Sequence, residues 1–575
     1  MRITVATTSG FCMGVRRAVE MVLDAPGQHE TPIYTYGPLI HNPQVLDLLE
    51  EKGITALTEI PEKGEGTVLI RAHGVPPEAV VRLEAAGFTV IDATCPRVIK
   101  VQRIIRKHAD DGQEVIIIGD ADHPEVIGLL GHAGGRGHVA GSMADLAALP
   151  PFAGAIVVAQ TTQNTRFFET VKAWVADTHP HYRIFDTICD STEKRQAEVK
   201  RLAETVDALV VVGGRNSGNT RRLADIARSS GKRTVHVETE SELDPERLAG
   251  ARSIGITAGA STPNWIIRRI YRTLEAMPYS ARRNGWRRRL FALQHSLLLT
   301  NIYVSLGAGC LCYACSRLQT ISHPIPYIII AVLYVLSMHI FNHLTGREED
   351  RYNDPHRARF YEIHKRPLAA LAVAAGAAGL LTAFAVGPIP FLTLLAMSLM
   401  GLSYNLRFLP EGKYRRIRDI PGSKTILIAL AWGVVTSVFP PLSERGGMGI
   451  GDLLVFLGAT GLVFVRTVFF DILDMQGDRI VGKETIAIIL GEKRSLTLLK
   501  RLLWTVGLIL LLSVPPGLLP GLALLLILCP VFLYIVIRAH ERGHMLPGIR
   551  LQFLVESHFL LSGLLTLVWS AAVGG

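Results

Sequence analysis

Cys12, Cys95 and Cys189 are the only cysteines in the first 280 residues, and each stands in a Gly- or Thr-rich stretch: SGFCMG, DATCP and DTICDST. A lone free cysteine is usually a small buried apolar residue. Three in the same kind of setting read better as ligands. Three thiolates suit a [4Fe–4S] cluster with one iron left without a protein ligand, and such an iron can act as a Lewis acid toward substrate. Structural zinc takes four ligands and often a C-x-x-C pair, which this stretch lacks.

A second set is rich in donors. His41 lies in GPLIHNPQV, His73 in RAHGV and His123 in DHPEV, and Ser217, Gly218 and Asn219 lie in NSGN, with Ser261 further on. One histidine alone is usually an ordinary core or surface residue. Imidazoles grouped with hydroxyl and amide donors suit a diphosphate. Glu125 is the carboxylate placed among them. It reads as a general acid and equally as a carboxylate at a helix N-terminus, and the two readings are compatible. No Walker A sequence is present and no GxGxxG follows the first strand, so nucleotide binding by those routes is not expected.

These residues need elements to position them. RITVATT, TVLIRAH, FTVIDATC, EVIIIGD, AIVVAQTT, ALVVVGG and SIGITAG are β-branched runs separated by amphipathic stretches. The pattern predicts an α/β domain with parallel sheets covered by helices, where ligands bind beyond the carboxyl ends of the strands. Cys12, His73, Cys95, His123, Glu125, Thr161, Ser217, Asn219 and Ser261 all fall at such ends.

The 575 residues are 49% hydrophobic and 19% charged, with net charge +10. Disorder is excluded by that much apolar surface, and seven cysteines in this length exclude a disulfide scaffold. Residues 1–280 are mixed in character, 281–290 form a basic linker, and long apolar stretches fill 291–575. No continuous apolar signal segment opens the chain, so the first half is expected in the cytoplasm. Nine crossings are expected, near 291–315, 325–344, 367–386, 388–405, 423–441, 452–471, 498–515, 519–538 and 553–572. The loops after the second, fourth, sixth and eighth are rich in Lys and Arg and the opposite loops are not. This pattern predicts a multi-pass protein of the cytoplasmic membrane with its C-terminus outside. It also accounts for the basic charge without nucleic acid, which is not expected as a partner.

Taken together, SGFCMGVRRAV, GPLIHNPQV, RAHGV, DATCP, GDADHPEV, QTT, TICDSTEKRQ, GGRNSGNT and TAGASTP resemble the 4-hydroxy-3-methylbut-2-enyl diphosphate reductase family over essentially all of residues 1–280. The resemblance implies a three-lobed α/β fold around a central iron–sulfur cluster, and oxidoreductase chemistry in the methylerythritol phosphate route of isoprenoid biosynthesis. By motif match, Cys12, Cys95 and Cys189 would hold the [4Fe–4S] cluster. Glu125 would be the proton donor, with Thr161 beside the substrate hydroxyl. His41, His73, His123, Ser217, Asn219 and Ser261 would hold the diphosphate. Gly218 stands where many members have a second serine, so only a backbone N–H remains there. The implied reaction is a reductive dehydration giving isopentenyl and dimethylallyl diphosphate. Ferredoxin or flavodoxin is implied as electron donor, because no flavin or nicotinamide motif is present. An iron–sulfur redox sensor is the rival, and the diphosphate-binding set argues against it.

In the second half, Asp471, Asp474 and Asp478 lie in RTVFFDILDMQGDRIVGKET at a helix end. Their spacing puts them on one helix face, where carboxylates can bind Mg²⁺ and through it a diphosphate. A solvated helix end is the plainer alternative. The DxxDxxGDxxxGKxT pattern resembles the second aspartate motif of the UbiA superfamily of membrane prenyltransferases, over about 290–575. The first motif of that family, NDxxDxxxD, is matched here only by Asn342 and Asp350, with His343 and Gly346 in place of two aspartates. Glu348, Glu349, Asn353 and Asp354 are possible substitutes, and His343 is a further candidate ligand. Lys424, Arg466 and Lys483 are candidate phosphate partners. The resemblance implies Mg²⁺-dependent transfer from a prenyl diphosphate to a lipid or aromatic acceptor. The alternative is a non-catalytic anchor that tethers the reductase. Cys310, Cys312 and Cys315 read as small helix-packing residues, as does Cys529.

Overall fold

The structure is a computed structural model. It describes all residues except 30, 278–284, 347–349, 351–352, 405–416, 418–419, 481–482, 544–547 and 574–575. Contacts divide the chain into two units, Met1–Ser280 and Ala281–Gly575. Within the basic stretch expected as a linker, 281–284 lie outside the described residues, and Gly285 onward is helical to Leu299.

The first unit opens with β1 (Arg2–Val5) and α1 (Met13–Asp24). Then come β2 (Ile33–Tyr36), α2 (Pro43–Glu51), β3 (Ile54–Leu57), β4 (Thr67–Ile70), α3 (Pro77–Ala85), β5 (Thr89–Asp92) and α4 (Pro96–Asp110). The next segment is β6 (Glu114–Ile118), α5 (Pro124–Gly131), β7 (Gly137–Ala140), α6 (Met143–Ala147), β8 (Ala155–Ala159), α7 (Thr165–Thr178), β9 (Arg183–Ile184) and α8 (Asp190–Thr205). The last is β10 (Ala208–Val212), α9 (Gly218–Ser229), β11 (Arg233–Val237), β12 (Ser253–Ala258) and α10 (Asn264–Ala276).

These strands form three four-stranded sheets in the orders β3-β2-β4-β5, β7-β6-β8-β9 and β11-β10-β12-β1. Every pairing is parallel. One topology is used three times. β1 fills the fourth place of the last sheet, in register from Arg2–Ser253 to Val5–Ile256. β4, β8 and β10 are buried throughout, as continuous Val/Ile/Leu runs require when helices cover both faces. The expected three-lobed α/β class is what forms.

The repetition positions the chemistry. His41, His123 and Ser217 follow the second-place strands β2, β6 and β10. His73, Thr161 and Ser261 follow the third-place strands β4, β8 and β12. Cys95, Cys189 and Cys12 follow the fourth-place strands β5, β9 and β1, and each is the N-cap residue of the next helix, α4, α8 and α1.

The second unit is all helical. Among the described residues, seven helices are long and apolar enough to cross a membrane: Ile325–Thr345, Lys365–Val386, Ser423–Arg445, Ile450–Arg479, Glu492–Leu512, Leu522–Glu541 and Ile549–Val573. The number becomes eight if a bent pair is counted as one crossing. This corrects the nine crossings expected from the sequence. The first expected crossing is broken: Arg289–Leu299 and Ile302–Leu318 meet at 75°. Between them Asn301 takes a left-handed conformation (φ 59°), and its amide donates to the Tyr361 hydroxyl at 2.7 Å. The fourth, Pro388–Ser403, has 16 residues, about 24 Å of helix at 1.5 Å per residue, against a hydrocarbon core of about 30 Å. Cys312, Cys315 and Cys529 belong to the buried apolar core, and Cys310 packs on Gly563, where a Cβ would overlap it. All four act as small packing residues.

Candidate active sites

The three sheets direct their carboxyl ends at one cavity. Cys12, Cys95 and Cys189 line it, together with His41, His73, His123, Glu125, Thr161, Ser217, Gly218, Asn219 and Ser261. Every residue singled out in the first half of the sequence thus faces one space.

The cysteines are free thiols at helix N-termini, where the backbone favours an anion. The Cys12 sulfur accepts from the Val15 N–H at 3.5 Å. Gly14 lies against Cys95, and a Cβ there would overlap its sulfur. Burial pushes the Cys95 thiol up. The N–H groups of Arg97 and Val98 oppose this, and the nearness of Cys12 and Cys189 adds to it. Three free thiols that line one cavity, each at a helix N-terminus, are a donor set that fits an iron–sulfur cluster with one iron left open. Two contacts tie the cysteine loops together. Buried Arg195 donates to the Gly10 carbonyl at 2.7 Å and to Ala258 at 3.2 Å. Glu198 accepts from the N–H and hydroxyl groups of Thr7 and Thr8 at 2.5–2.8 Å.

The histidines form a cluster with ring centroids 4.9–5.7 Å apart. Their nitrogens lie within 4.8 Å of one another. Burial pushes all three down, reinforced by the neighbouring imidazoles for His73 and His123 and by Arg71 and Arg221 for His41; His123 falls to about 4. The His123 Nδ1 accepts the Glu125 N–H at 3.1 Å, so that ring carries its proton on Nε2 when neutral. His41 Nε2, His73 Nδ1 and both amide atoms of Asn219 are buried without a protein partner. Buried polar atoms left unpaired are costly, and here they converge on one place. The Ser261 hydroxyl donates to the His41 carbonyl at 3.2 Å.

Glu125 is 1% exposed. It accepts the Thr161 N–H at 2.6 Å and the Thr161 hydroxyl at 2.8 Å. Burial pushes its carboxyl up, against the opposing pull of Thr161 and Arg222. Arg222 was not legible as a site residue. It binds both Asp120 oxygens, at 3.0 and 2.9 Å, and the Gln163 amide oxygen at 3.1 Å, and so fixes the loop that carries His123. A Cβ on Gly218 would lie 3.1 Å from Arg222 Nη1, a tight contact that the guanidinium would relieve by shifting a few tenths of an ångström. The only early sign of Arg195 and Arg222 was their place inside or next to the quoted motifs.

The family model described as LytB protein matches residues 3–275. The 4-hydroxy-3-methylbut-2-enyl diphosphate reductase of Pelobacter propionicus is 43% identical over 267 residues, 46% of this chain and 95% of its own length. The chain belongs to the 4-hydroxy-3-methylbut-2-enyl diphosphate reductase family. A solved (E)-4-hydroxy-3-methyl-but-2-enyl diphosphate reductase is 40% identical and covers 48% of this chain and 100% of its own, with TM-score 0.39. The reductase domain is an oxidoreductase domain.

A second family model, UbiA prenyltransferase family, matches residues 301–554, so a UbiA domain follows the reductase domain. A UbiA homolog from Archaeoglobus fulgidus, solved with GPP and Mg²⁺, is 18% identical and covers 48% of this chain and 98% of its own, with TM-score 0.36. In the present chain, Asp471, Asp474 and Asp478 lie on the long helix Ile450–Ile480. Asp471 accepts from the Thr425 hydroxyl at 2.6 Å, and Asp478 accepts from the Asn353 amide at 2.9 Å. Gly477 gives Asn353 its room, since a Cβ there would overlap it. The segment after the first motif therefore reaches the second. Asp350 is 2.7 Å from His343 Nδ1, whereas Asn342 lines a different space, an apolar cavity of about 770 Å³ with Tyr334, His339, Lys424 and Trp432. Glu348 and Glu349 lie outside the described residues. Among the described residues, only the histidine cluster of the first unit brings three metal-capable ligand atoms within 4.8 Å of one another. Arg466, a candidate phosphate partner, is committed elsewhere: it pairs with buried Glu556 and lies over the Phe470 ring at 4.9 Å.

Proposed function

We propose that the first half converts 4-hydroxy-3-methylbut-2-enyl diphosphate to isopentenyl and dimethylallyl diphosphate by reductive dehydration. The observation that carries this is the convergence of three cysteines, three histidines and the Glu125–Thr161 pair on one cavity. His41, His73, His123, Asn219, Ser217, Ser261 and the Gly218 N–H hold the diphosphate. Thr161 orients the substrate hydroxyl, and Glu125, whose carboxyl burial pushes up, gives the proton with which that hydroxyl leaves as water. A [4Fe–4S] cluster on Cys12, Cys95 and Cys189 supplies electrons and Lewis acidity when bound. An anaerobic preparation of the full chain with reduced methyl viologen should release both products. No product from a preparation with a full cluster would refute the reading.

For the second half the proposal is Mg²⁺-dependent transfer from a prenyl diphosphate to a lipid or aromatic acceptor. Asp471, Asp474 and Asp478 hold the metal, with Lys424 and Lys483 toward the diphosphate. The apolar cavity beside Asn342 and Lys424 takes the prenyl chain. The engagement of Asp350 by His343 favours the second reading, a non-catalytic anchor. Membranes holding the full chain, given labelled allylic diphosphates, lipid extract and Mg²⁺, separate the two. Label transfer that is lost in Asp471→Asn/Asp474→Asn supports the enzyme, and no transfer while the reductase still works supports the anchor. The Lys- and Arg-rich loops support a cytoplasmic reductase half by the positive-inside rule.

A further inference from the structure

The reaction consumes electrons, and no residue described above brings them in. A groove of about 920 Å³ lies along α4, lined by Pro96, Lys100, Arg103, Lys107, Arg183 and Phe185 among others, with Asp111 its carboxylate. Lys100, Arg103 and Lys107 are exposed and share one helix face by their spacing. The wall is firm. His108 is buried and packs on Phe185 at 5.2 Å, and the Arg183 guanidinium lies over the same ring at 5.6 Å.

The groove sits next to the cysteines. Cys95 lines the catalytic cavity, and the following residue, Pro96, lines the groove. One peptide unit therefore separates a thiol of the redox centre from the outer surface. The charge of α4 is particular to it. It carries five Lys or Arg against one Asp. The other two cysteine-capped helices balance, with two cations against two carboxylates in α1 and four against four in α8. General basicity of the chain would not single out one of three equivalent helices.

We propose that the α4 groove is the electron-entry face, where an acidic one-electron carrier protein docks beside Cys95. This rests on the reductase reading. Each turnover takes two such encounters. Two carriers are each oxidised by one electron, the substrate C–O bond breaks, two protons are taken up, and the oxygen leaves as water. Complementary charge of this kind speeds encounter about 10- to 1000-fold and loses force as salt rises. Anionic lipid is the competing occupant. A concave site with an aromatic wall suits a protruding protein surface better than a flat bilayer.

The test uses the full chain in nanodiscs, with Lys100→Glu/Arg103→Glu/Lys107→Glu and the milder Lys100→Gln/Arg103→Gln/Lys107→Gln in case the first folds poorly. Turnover is driven by reduced methyl viologen or by an acidic ferredoxin. Viologen-driven turnover tests the reductase reading by itself and should stay within about twofold of wild type, since small reductants need no docking face. Ferredoxin-driven kcat/KM should fall about tenfold or more at low salt, with the gap closing near 1 M salt, where the Debye length is about 3 Å. Unchanged ferredoxin-driven kcat/KM in both variants would overturn the proposal. So would hydrogen-exchange protection of α4 that depends on anionic lipid in the nanodisc while ferredoxin kinetics match wild type, because the face would then belong to the membrane.

Discussion

Glu125 receives both the backbone N–H and the hydroxyl of Thr161, at 2.6 and 2.8 Å, in a setting that is otherwise closed to solvent. Burial favours the protonated carboxyl and the two donors favour the carboxylate, with burial the stronger. Thr161→Val removes one donor and keeps the N–H. The Glu125 carboxyl should then rise further. Turnover that needs Glu125 protonated falls on the alkaline side of its pH profile, so that limb should move to higher pH in the variant. A limb that stays in place or moves to lower pH would show that Glu125 is not the acid.

Glu125→Gln tests the same group more bluntly. The amide is nearly the same size but has no proton to give. Iron content should match wild type, while kcat falls about 100-fold or more, the usual weight of a positioned acid. Wild-type rates would sink the assignment.

Each of Cys12→Ser, Cys95→Ser and Cys189→Ser should lower iron per chain and weaken the visible absorbance of the purified protein. All three follow fourth-place strands and cap the next helix, so the losses should be similar in kind. A full cluster in all three variants would refute the ligand set.

The histidine cluster sets a pH dependence. His41, His73 and His123 are held below their ordinary value in the folded protein, His123 near 4, while the unfolded chain takes up protons near about 6.5. The unfolded state then binds more protons, so stability of the reductase half is full above about 6.5 and is lost as pH falls toward 4. A bound diphosphate reverses the balance at the site, because an anion favours imidazolium. Titration with diphosphate near pH 6.5, in two buffers of different ionisation enthalpy, should show net proton uptake. Zero uptake would mean that the histidines stay neutral and bind only as N–H donors.

Much of this site was legible because the chemistry sits at the ends of continuous runs. AIVVA and ALVVV announce β8 and β10, and Thr161 and Ser217 follow directly. IYTY and RTVHV, which form β2 and β11, alternate buried and less buried residues over four or five positions, too short a stretch to separate from loop. The role of Arg222 depends on Asp120, 102 residues away, and only the folded chain brings them together. In the membrane half, hydropathy sees apolar length but not a break. The left-handed turn at Asn301 therefore split one expected crossing. The same limit hid the pairing of His343 with Asp350, which a motif comparison reads simply as a missing aspartate.

The Arg466–Glu556 pair gives the last prediction. Arg466 is 8% and Glu556 1% exposed, and the Arg466 Nε donates to Glu556 at 2.9 Å. The second Glu556 oxygen has no protein partner, so the pair is not fully compensated. Removing one partner leaves the other as an unpaired charge among apolar helices, at a cost of about 3–5 kcal/mol. Arg466→Met or Glu556→Leu alone should therefore lower the unfolding temperature of the detergent-solubilised full chain sharply. Arg466→Met/Glu556→Leu together should restore most of it, since an apolar pair of similar volume is often as stable. If the ion pair serves only packing, prenyl transfer should survive in the double variant. A double variant that is as stable as wild type but transfers no label would give Arg466 a part in the reaction after all.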